Sequence, residues 1–89
     1  MRLVWSAGAW EDYLHWQASD KAVSSRINDL IRDARRSPFG GLGKPEPLRG
    51  NLKGWRSRRI TSEHRLVYRI RGEGEGQALE ILQCRRHYA

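Results

Sequence analysis

Apolar residues recur at helical spacing near the start of the chain. Trp10, Tyr13 and Leu14 step by three and four residues, so they share one face of a helix. Glu11 and Asp12 accompany them, and we expect both in the first turn, where the helix dipole favours negative charge. The pattern predicts a first helix that ends near residues 19–20.

A second amphipathic helix follows directly. Its apolar positions recur at i, i+4, i+7, i+8 and i+11, and charged residues occupy most of the other positions. These apolar residues are Val23, Ile27, Leu30, Ile31 and Ala34. Proline disfavours helical geometry in the residue before it. We therefore expect this helix to begin at Lys21 and to stop at Ser37 and Pro38.

The rest of the chain alternates in the manner of strands, apart from one long loop. A short apolar run at residues 2–5 predicts a first strand, and residues 39–54 hold too many glycines and prolines for regular structure. Alternating segments at 55–60, 65–71 and 77–88 predict an antiparallel meander. The predicted class is α+β, with one sheet face on the helices.

The middle strand of the meander divides its side chains between the two faces of the sheet. One set faces the helices and the other faces outward, because side chains alternate along a strand. The inward set is Leu66, Tyr68 and Ile70, and the outward set is Arg65, Val67, Arg69 and Arg71. We therefore expect a row of arginines on the outer face.

Length and charge narrow the possible functions. The 89 residues suit one domain, 1–89, and the 30% charged content excludes a membrane protein. The formal charge is +7, and 14 of the 17 basic residues are arginine, whose planar fork binds phosphate bidentately. This favours nucleic acid as the partner, although a general Arg bias of the genome would give the same composition.

Other compositional signals point to a cytoplasmic protein without a cofactor. One cysteine, Cys84, cannot form an internal disulfide and is expected to be a small core residue. No secretory signal core, membrane-spanning stretch, phosphate-binding glycine loop or metal-type Cys/His spacing is present in the sequence. We expect no metal, no cofactor and no membrane partner.

Few side chains can transfer protons. Between Lys44 and Arg71 nine basic residues accompany only Glu46 and Glu63, and this positive field favours the carboxylate form of an acid. His87 stands among arginines near the C-terminus. RNA cleavage by its own 2′-hydroxyl needs a base, a cation for the phosphorane and an acid for the leaving oxygen. Glu46, Arg65 and His87 could supply the three.

Each of these residues also has an ordinary explanation. Glu46 could be a solvated loop acid, His87 a terminal surface histidine and Arg65 a charge on a strand face. Aromatic rings beside cations stack on bases, so Tyr88 and Trp55 could bind RNA, although Trp55 suits the core equally well. His15 and His64 are expected to be structural or to face solvent.

Several multi-residue motifs closely resemble the YoeB (Txe/YoeB) toxins of bacterial toxin-antitoxin systems, within the RelE superfamily. The principal motifs are GKPEPL (43–48), SRRIT (57–61), EHRLVY (63–68) and CRRHY (84–88), with further matches at 3–6, 10–14, 16–17 and 27–31. The match departs from the family pattern at Arg49, where Lys is common, at Arg86, where an aromatic residue is usual, and in a longer tip at residues 72–76. None of these departures removes a proposed catalytic group.

The resemblance implies a microbial-ribonuclease-like fold, with two N-terminal helices on a twisted antiparallel sheet. It also implies endoribonuclease activity, in which the protein cuts mRNA in the ribosomal A site and arrests translation. By position, Glu46 resembles the family's general base, His87 its general acid and Arg65 its transition-state ligand. Expected RNA- or phosphate-binding residues are Lys44, Arg49, Arg59 and Tyr88. The implied products are a 2′,3′-cyclic phosphate and a 5′-hydroxyl.

The resemblance also implies partners: a second copy of the chain, a YefM-type antitoxin, the ribosome and mRNA, and operator DNA through the antitoxin complex. Two rival hypotheses remain. One is a non-catalytic RNA- or ribosome-binding module that uses the arginine face, and the other is a DNA-binding partner within a repressing complex.

Overall fold

The computed structural model describes residues 1–88, so Ala89, the last residue of the expected domain, lies outside the described residues. The elements follow in the order β1 (Arg2–Trp5), α1 (Ala7–Ser19), α2 (Lys21–Arg36), β2 (Glu46–Pro47), β3 (Arg56–Arg59), β4 (Arg65–Arg71) and β5 (Ala78–Gln83), with 3₁₀ turns at Gly50–Leu52 and Gly74–Gly76. The strands form one sheet in the order β1-β5-β4-β3-β2.

Helix α1 begins earlier than the charge pattern predicts. The Ser6 hydroxyl accepts a hydrogen bond from the backbone N–H of Ala9 at 3.0 Å and caps the helix. Because the helix starts at Ala7, Glu11 and Asp12 lie in its second turn, and the expectation that they occupy the first turn is wrong.

Asp20 separates the two helices. Its N–H donates to the carbonyl of Trp16 at 2.8 Å and closes α1. Its carboxylate accepts from the N–H groups of Ala22 and Val23 at 3.1 and 3.2 Å and caps α2. Helix α2 ends at Arg36, before Ser37 and Pro38. Both predicted helix ends are confirmed.

The sheet is mixed. Strands β3, β4 and β5 form the predicted antiparallel meander. Strand β1, however, pairs in parallel with β5, and Leu3 stands opposite Leu79. Helices α1 and α2 follow β1 directly and carry the chain away from this edge, and parallel strands require such a crossover. The α+β class with two helices on a sheet is confirmed, with one parallel pair where only antiparallel pairs were expected.

The core lies between the helices and the inner face of the sheet. Its buried members come from both layers and include Ile27, Leu30 and Ala34 of α2 with Leu66, Tyr68, Leu79 and Ile81 of the sheet. Cys84 is fully buried, as expected. No helix among residues 1–88 combines the length and apolar character needed to cross a bilayer.

The outer face of β4 carries the predicted alternation but not a row of open arginines. Arg65 and Val67 are buried, Arg69 is half-buried and Arg71 is exposed. Burial of Arg65 and Val67 follows from their neighbours, since β3 and the segment after β5 flank this part of β4. The accessible arginine surface is therefore smaller than the sequence alone indicates.

Two predicted boundaries are wrong. The segment 39–54 contains strand β2, in which Glu46 pairs with Ser57 and Pro47 with Arg56. An edge strand tolerates a proline because one side of its backbone has no partner strand. The last strand ends at Gln83, short of residue 88, because the chain turns there and Arg86 adopts a left-handed φ of 70°.

Candidate functional site

Glu46 is positioned by a close approach of the chain at Gly43. This glycine has a φ of +81°, and a Cβ atom there would stand 2.8 Å from Leu30 Cδ2 and 3.1 Å from Arg58 Cβ. Its carbonyl accepts a hydrogen bond of 2.7 Å from the N–H of Arg59. Only a residue without a side chain allows this geometry, which leads the chain into β2 and places Glu46 at the edge of the sheet.

The segment before Gly43 is held by a buried arginine, Arg58, whose structural role the sequence did not predict. The Arg58 side chain is fully buried, and its Nη1 donates to Asp33 Oδ2 at 2.6 Å. Nη2 donates to the carbonyls of Ser37 and Gly40 at 2.6 and 2.8 Å. The same guanidinium therefore ties the end of α2 to the loop that leads to the candidate site.

Asp33 is the acidic partner of this network. The pKa of Asp33 falls to about 2, first because its carboxylate accepts from the backbone N–H of Leu42, and then because Arg58 and Arg36 donate to it. A signal for the pair existed in the sequence. Arg58 shares strand parity with the apolar residue Ile60, and a charge on the inward side of a strand needs a buried partner.

A cavity of about 490 Å³ opens beside β2. Three of its lining residues belong to the set predicted from the sequence, namely Glu46, Arg49 and Tyr88, and the others are Pro47, Leu48 and Leu52. The Tyr88 hydroxyl donates to Glu46 Oε1 at 3.3 Å. The structure therefore brings the predicted base together with the C-terminal aromatic residue, although 42 positions separate them.

His87 adjoins this cavity through Tyr88. The centroids of the two rings lie 4.5 Å apart, with an interplanar angle of 34°. Nδ1 of His87 lies 3.0 Å from the carbonyl oxygen of Tyr88, and the side chain is exposed. An exposed imidazole next to the cavity can exchange protons with a bound molecule or with water.

Arg65 differs from the open cation that the sequence suggested. It is only 8% exposed, and its Nη1 donates to the carbonyls of Thr61, Ser62 and His64 at 2.8, 3.3 and 3.1 Å. Among residues 1–88, its Nε and Nη2 have no hydrogen-bond partner in the structure. One edge of the guanidinium is therefore fixed by the backbone, and the other keeps its donors for another group.

Two further predicted cations flank the same part of the outer face. Arg59 stands opposite Arg65 in the β3–β4 pair, and its side chain is exposed. Lys44 is exposed with a left-handed φ of 52°, and it directly follows Gly43, which is bonded to Arg59. Glu46, Arg49, Tyr88 and His87 thus form one group, while Arg65, Arg59 and Lys44 form another.

Strand register relates the two groups. Glu46 stands opposite Ser57, Ser57 opposite Val67, and Val67 opposite Gln83, so these four side chains share the outer face. Arg65 lies two residues from Val67 along β4 and therefore occupies the same face. The acid at one sheet edge and the buried arginine near the C-terminal segment both belong to the outer face of one sheet.

Trp55 takes an intermediate position between the two alternatives predicted for it. It is half-buried, and the guanidinium carbon of Arg69 lies 4.2 Å from its ring centroid. Nε of Arg69 also donates to Glu80 Oε1 at 2.6 Å. Trp55 is therefore neither a member of the core between sheet and helices nor an open stacking platform, since Arg69 covers one of its faces.

The two remaining histidines, which were expected to be structural or to face solvent, are half-buried and pack against Trp16. The rings of His15 and His64 each meet the Trp16 ring edge-on at 4.8 Å. Nδ1 of His64 accepts a hydrogen bond from the backbone N–H of Arg86. Among residues 1–88, no group of three or more His, Cys, Asp or Glu side chains is arranged to hold a metal ion.

Comparison with known proteins agrees with this architecture. The family described as "YoeB-like toxin of bacterial type II toxin-antitoxin system" matches residues 5–88. The chain is 54% identical to Toxin YoeB of Escherichia coli strain K12 over 88 residues, which cover 99% of this chain and 100% of that protein.

Solved structures agree as well. A YoeB/ParE toxin from Agrobacterium tumefaciens has a TM-score of 0.94 and 58% identity, covering 99% of this chain and 100% of that one. The heterotetrameric YoeB-YefM toxin-antitoxin complex of Staphylococcus aureus contains a chain with a TM-score of 0.87 and 39% identity, covering 99% and 98%. YoeB from the same organism is also known as a dimer.

Proposed function

The chain belongs to the YoeB family of toxins from bacterial type II toxin-antitoxin systems, and we propose that it is a ribosome-dependent endoribonuclease. It cleaves mRNA in the ribosomal A site and thereby inhibits translation. The observation that carries this proposal is the meeting of Glu46, Arg49 and Tyr88 around one cavity, with His87 stacked on Tyr88. A carboxylate, a cation and an imidazole at the edge of a basic face are the groups that RNA transesterification uses.

In the proposed reaction Glu46 acts as the general base. Its exposed carboxylate removes the proton of a 2′-hydroxyl, and the 2′-oxygen then attacks the neighbouring phosphorus. As the new O–P bond forms, the bond between phosphorus and the 5′-oxygen breaks. His87 donates a proton to that leaving oxygen, so the products are a 2′,3′-cyclic phosphate and a 5′-hydroxyl.

Arg65 stabilises the charge that develops on the phosphorane. Its Nη1 is fixed by three backbone carbonyls, so its remaining donors are oriented before the substrate binds. Donors oriented in advance stabilise a transition state without reorganising during the reaction. These side chains supply both proton transfers and the positive charge, and we propose that the reaction needs no metal and no cofactor.

The other predicted residues bind RNA. Arg49 lines the cavity beside Glu46, Arg59 stands opposite Arg65, and Lys44 follows Gly43, which is bonded to Arg59. All three are exposed and therefore available to phosphates. Tyr88 holds the Glu46 carboxylate through its hydroxyl and presents an aromatic ring for a base.

The partners follow from the family. We propose that the protein acts in the cytoplasm, forms a homodimer and is neutralised by a YefM-type antitoxin, as the S. aureus complexes contain a YoeB dimer and a YoeB-YefM assembly. Operator DNA is bound only through the antitoxin complex. A gel shift that requires both proteins would support this, and a shift by the toxin alone would contradict it.

Primer extension tests the proposed activity. Purified protein is added to a translating extract with a defined mRNA, and the 5′ ends of the fragments are mapped. We expect cuts in register with codons that require ribosomes and that Glu46→Gln reduces by about 10²-fold or more, which is typical of losing a general base.

The matched control is Glu75→Gln, which neutralises an exposed acid at the Gly74–Gly76 turn, away from the cavity. It should cleave like the unchanged protein. Intact mRNA on stalled ribosomes would contradict the nuclease and support a non-catalytic ribosome-binding module. Equal cleavage by Glu46→Gln and Glu75→Gln would dismiss Glu46 as the base.

A further inference from the structure

The segment that carries His87 leaves the sheet in an unusual conformation. Strand β5 ends at Gln83, and Arg86 has a left-handed φ of 70°, which L-residues with long side chains rarely adopt. Such a conformation persists only where neighbouring contacts hold it in place. The contacts at Arg86 therefore decide the direction in which His87 leaves the backbone.

Both polar groups of the Arg86 backbone are bonded to two consecutive residues, His64 just before β4 and Arg65 at its start. Its N–H donates to Nδ1 of His64 at 2.7 Å. Its carbonyl accepts from the N–H of Arg65 at 3.0 Å. The second bond resembles a ladder bond between backbones, and any residue at position 65 except proline could make it. The first depends on the His64 side chain.

His64 is itself rigidly placed. Its N–H donates to Thr61 Oγ1 at 3.1 Å, and its carbonyl accepts from the N–H of Ile60 at 3.0 Å. Its ring packs edge-on against Trp16 at 4.8 Å, and the indole N–H of Trp16 donates to the carbonyl of Cys84 at 2.8 Å. Tryptophan and histidine thus fix the chain at two points between β5 and His87.

We propose that His64 is a positioning residue for the general acid. By accepting the Arg86 N–H with Nδ1, it holds Arg86 in the left-handed conformation and so sets the orientation of His87. The inference rests on the proposed function, in which His87 is the acid. An acid must reach the leaving oxygen within hydrogen-bonding distance, and a misplacement of about 1 Å can cost about 10²-fold in rate.

The contacts favour this role over proton transfer by His64 itself. Because Nδ1 accepts the Arg86 N–H, the neutral ring carries its proton on Nε2. One side of the ring is occupied by Trp16, and the residue is half-buried. His64 contributes the position of a lone pair, and that property can be transferred to another side chain.

Three substitutions separate acceptor position from ring packing. His64→Asn places Oδ1 where Nδ1 stands, His64→Gln moves the oxygen one bond further away, and His64→Leu retains bulk without an acceptor. His15 is the matched control, since its ring meets Trp16 at the same 4.8 Å and has no hydrogen bond to the segment after β5 in residues 1–88.

Single-turnover cleavage on purified ribosomes carrying a defined mRNA measures the consequence. We expect the maximal rate to fall by about 10²-fold in His64→Leu and His64→Gln, to stay within about threefold in His64→Asn, and to be unchanged in His15→Leu. The half-saturating toxin concentration should stay within about threefold throughout, because orientation of the acid acts on the chemical step.

Hydrogen exchange provides a readout that does not depend on activity. The Arg86 amide should exchange slowly in the unchanged protein and in His64→Asn, and rapidly in His64→Leu and His64→Gln. Slow exchange or full activity in the Gln and Leu variants would overturn the inference. If the unchanged protein fails to cleave on ribosomes, the proposed function fails, and the exchange rates still report whether His64 holds Arg86.

Discussion

At the scale of single residues, the same chemical group serves opposite purposes according to its burial. Arg58 is fully buried and donates hydrogen bonds to Asp33 and to loop carbonyls, whereas Arg59, the next residue, is exposed at the candidate site. Two consecutive arginines on a strand necessarily face opposite sides of the sheet. The motif that contains them therefore joins a structural residue to a candidate RNA-binding one.

The pH dependence of stability should report the hydrogen bonds that the Asp33 carboxylate accepts from Leu42, Arg58 and Arg36. Asp33 has a folded-state pKa of about 2 against an ordinary 3.8, so its contribution to stability is complete above 3.8 and is lost as the pH falls through about 2. We expect urea denaturation between pH 7 and pH 2 to show a loss of stability on acidification that is smaller in Asp33→Asn.

Asp29→Asn is the control for this measurement, because Asp29 lies on the same helix, is exposed and faces Arg32 at 3.4 Å. Its acid-dependent loss of stability should equal that of the unchanged protein, since exposed ion pairs contribute little. Parallel pH profiles for Asp33→Asn and the unchanged protein would show that Asp33 does not determine the acid response.

At the scale of elements, the sequence predicted the helices and strands whose signals lie within their own segments. The two helices were predictable because caps and apolar periodicity lie within each segment, and Asp20 and Pro38 mark their boundaries. Strand β2 was not, because Glu46 and Pro47 become a strand only through pairing with β3. The parallel pairing of β1 and the turn after Gln83 also depend on partners distant in sequence.

In the candidate site too, the residue types were predictable from the sequence, whereas contacts between distant segments were not. The sequence nominated Glu46, Arg65, His87 and Tyr88, and the structure brings Glu46 and Tyr88 into contact. Composition could not indicate that Arg65 is buried and held by three carbonyls, since this depends on the loop before β4. Nor could it reveal that His64 accepts a hydrogen bond from Arg86, because that contact joins two separate segments.

The close approach at Gly43 gives a prediction about the loop that leads to β2. We expect Gly43→Ala to reduce the free energy of unfolding by about 2 kcal/mol, because a left-handed φ and a contact of 2.8 Å to Leu30 Cδ2 act together. Chemical denaturation measures the change.

Gly74→Ala separates the two causes, since Gly74 has a φ of +58° with nothing within 4 Å of the added Cβ. It bears only the backbone cost, about 1 kcal/mol. If both alanine variants lose the same stability, the contact of a Cβ at position 43 with Leu30 does not contribute to the free energy of unfolding.

At the scale of the whole molecule, the net charge is +7, and its cations differ in whether they pair with a carboxylate. Two arginines on α2 pair with carboxylates of their own helix, Arg32 with Asp29 and Arg36 with Asp33. Several of the cations around the candidate site, including Arg49, Arg59 and Lys44, are exposed without an ion pair in residues 1–88. Phosphate contacts should therefore concentrate there.

Salt dependence of ribosome binding tests this distribution. In a Glu46→Gln background, which slows cleavage, log affinity should fall linearly with log salt concentration, and Arg59→Gln should reduce the slope by about 0.7 to 0.9. Arg32→Gln, which removes an equal charge from α2, should leave the slope unchanged. Equal reductions by the two variants would mean that net charge, and not the outer face, governs binding.

The pairing of β1 with β5 affects the order in which parts of the sheet can fold. The first strand to emerge during translation has the last strand as its neighbour in the sheet, and β5 also lies beside β4. Contacts between such distant parts of a chain form late, after the intervening loop has been closed. A nascent or truncated chain lacking β5 leaves β1 without a partner strand and β4 with β3 as its one neighbour. The complete sheet, and the cavity that Tyr88 helps to line beside Glu46, therefore form only after β5 and the segment that follows it have been made.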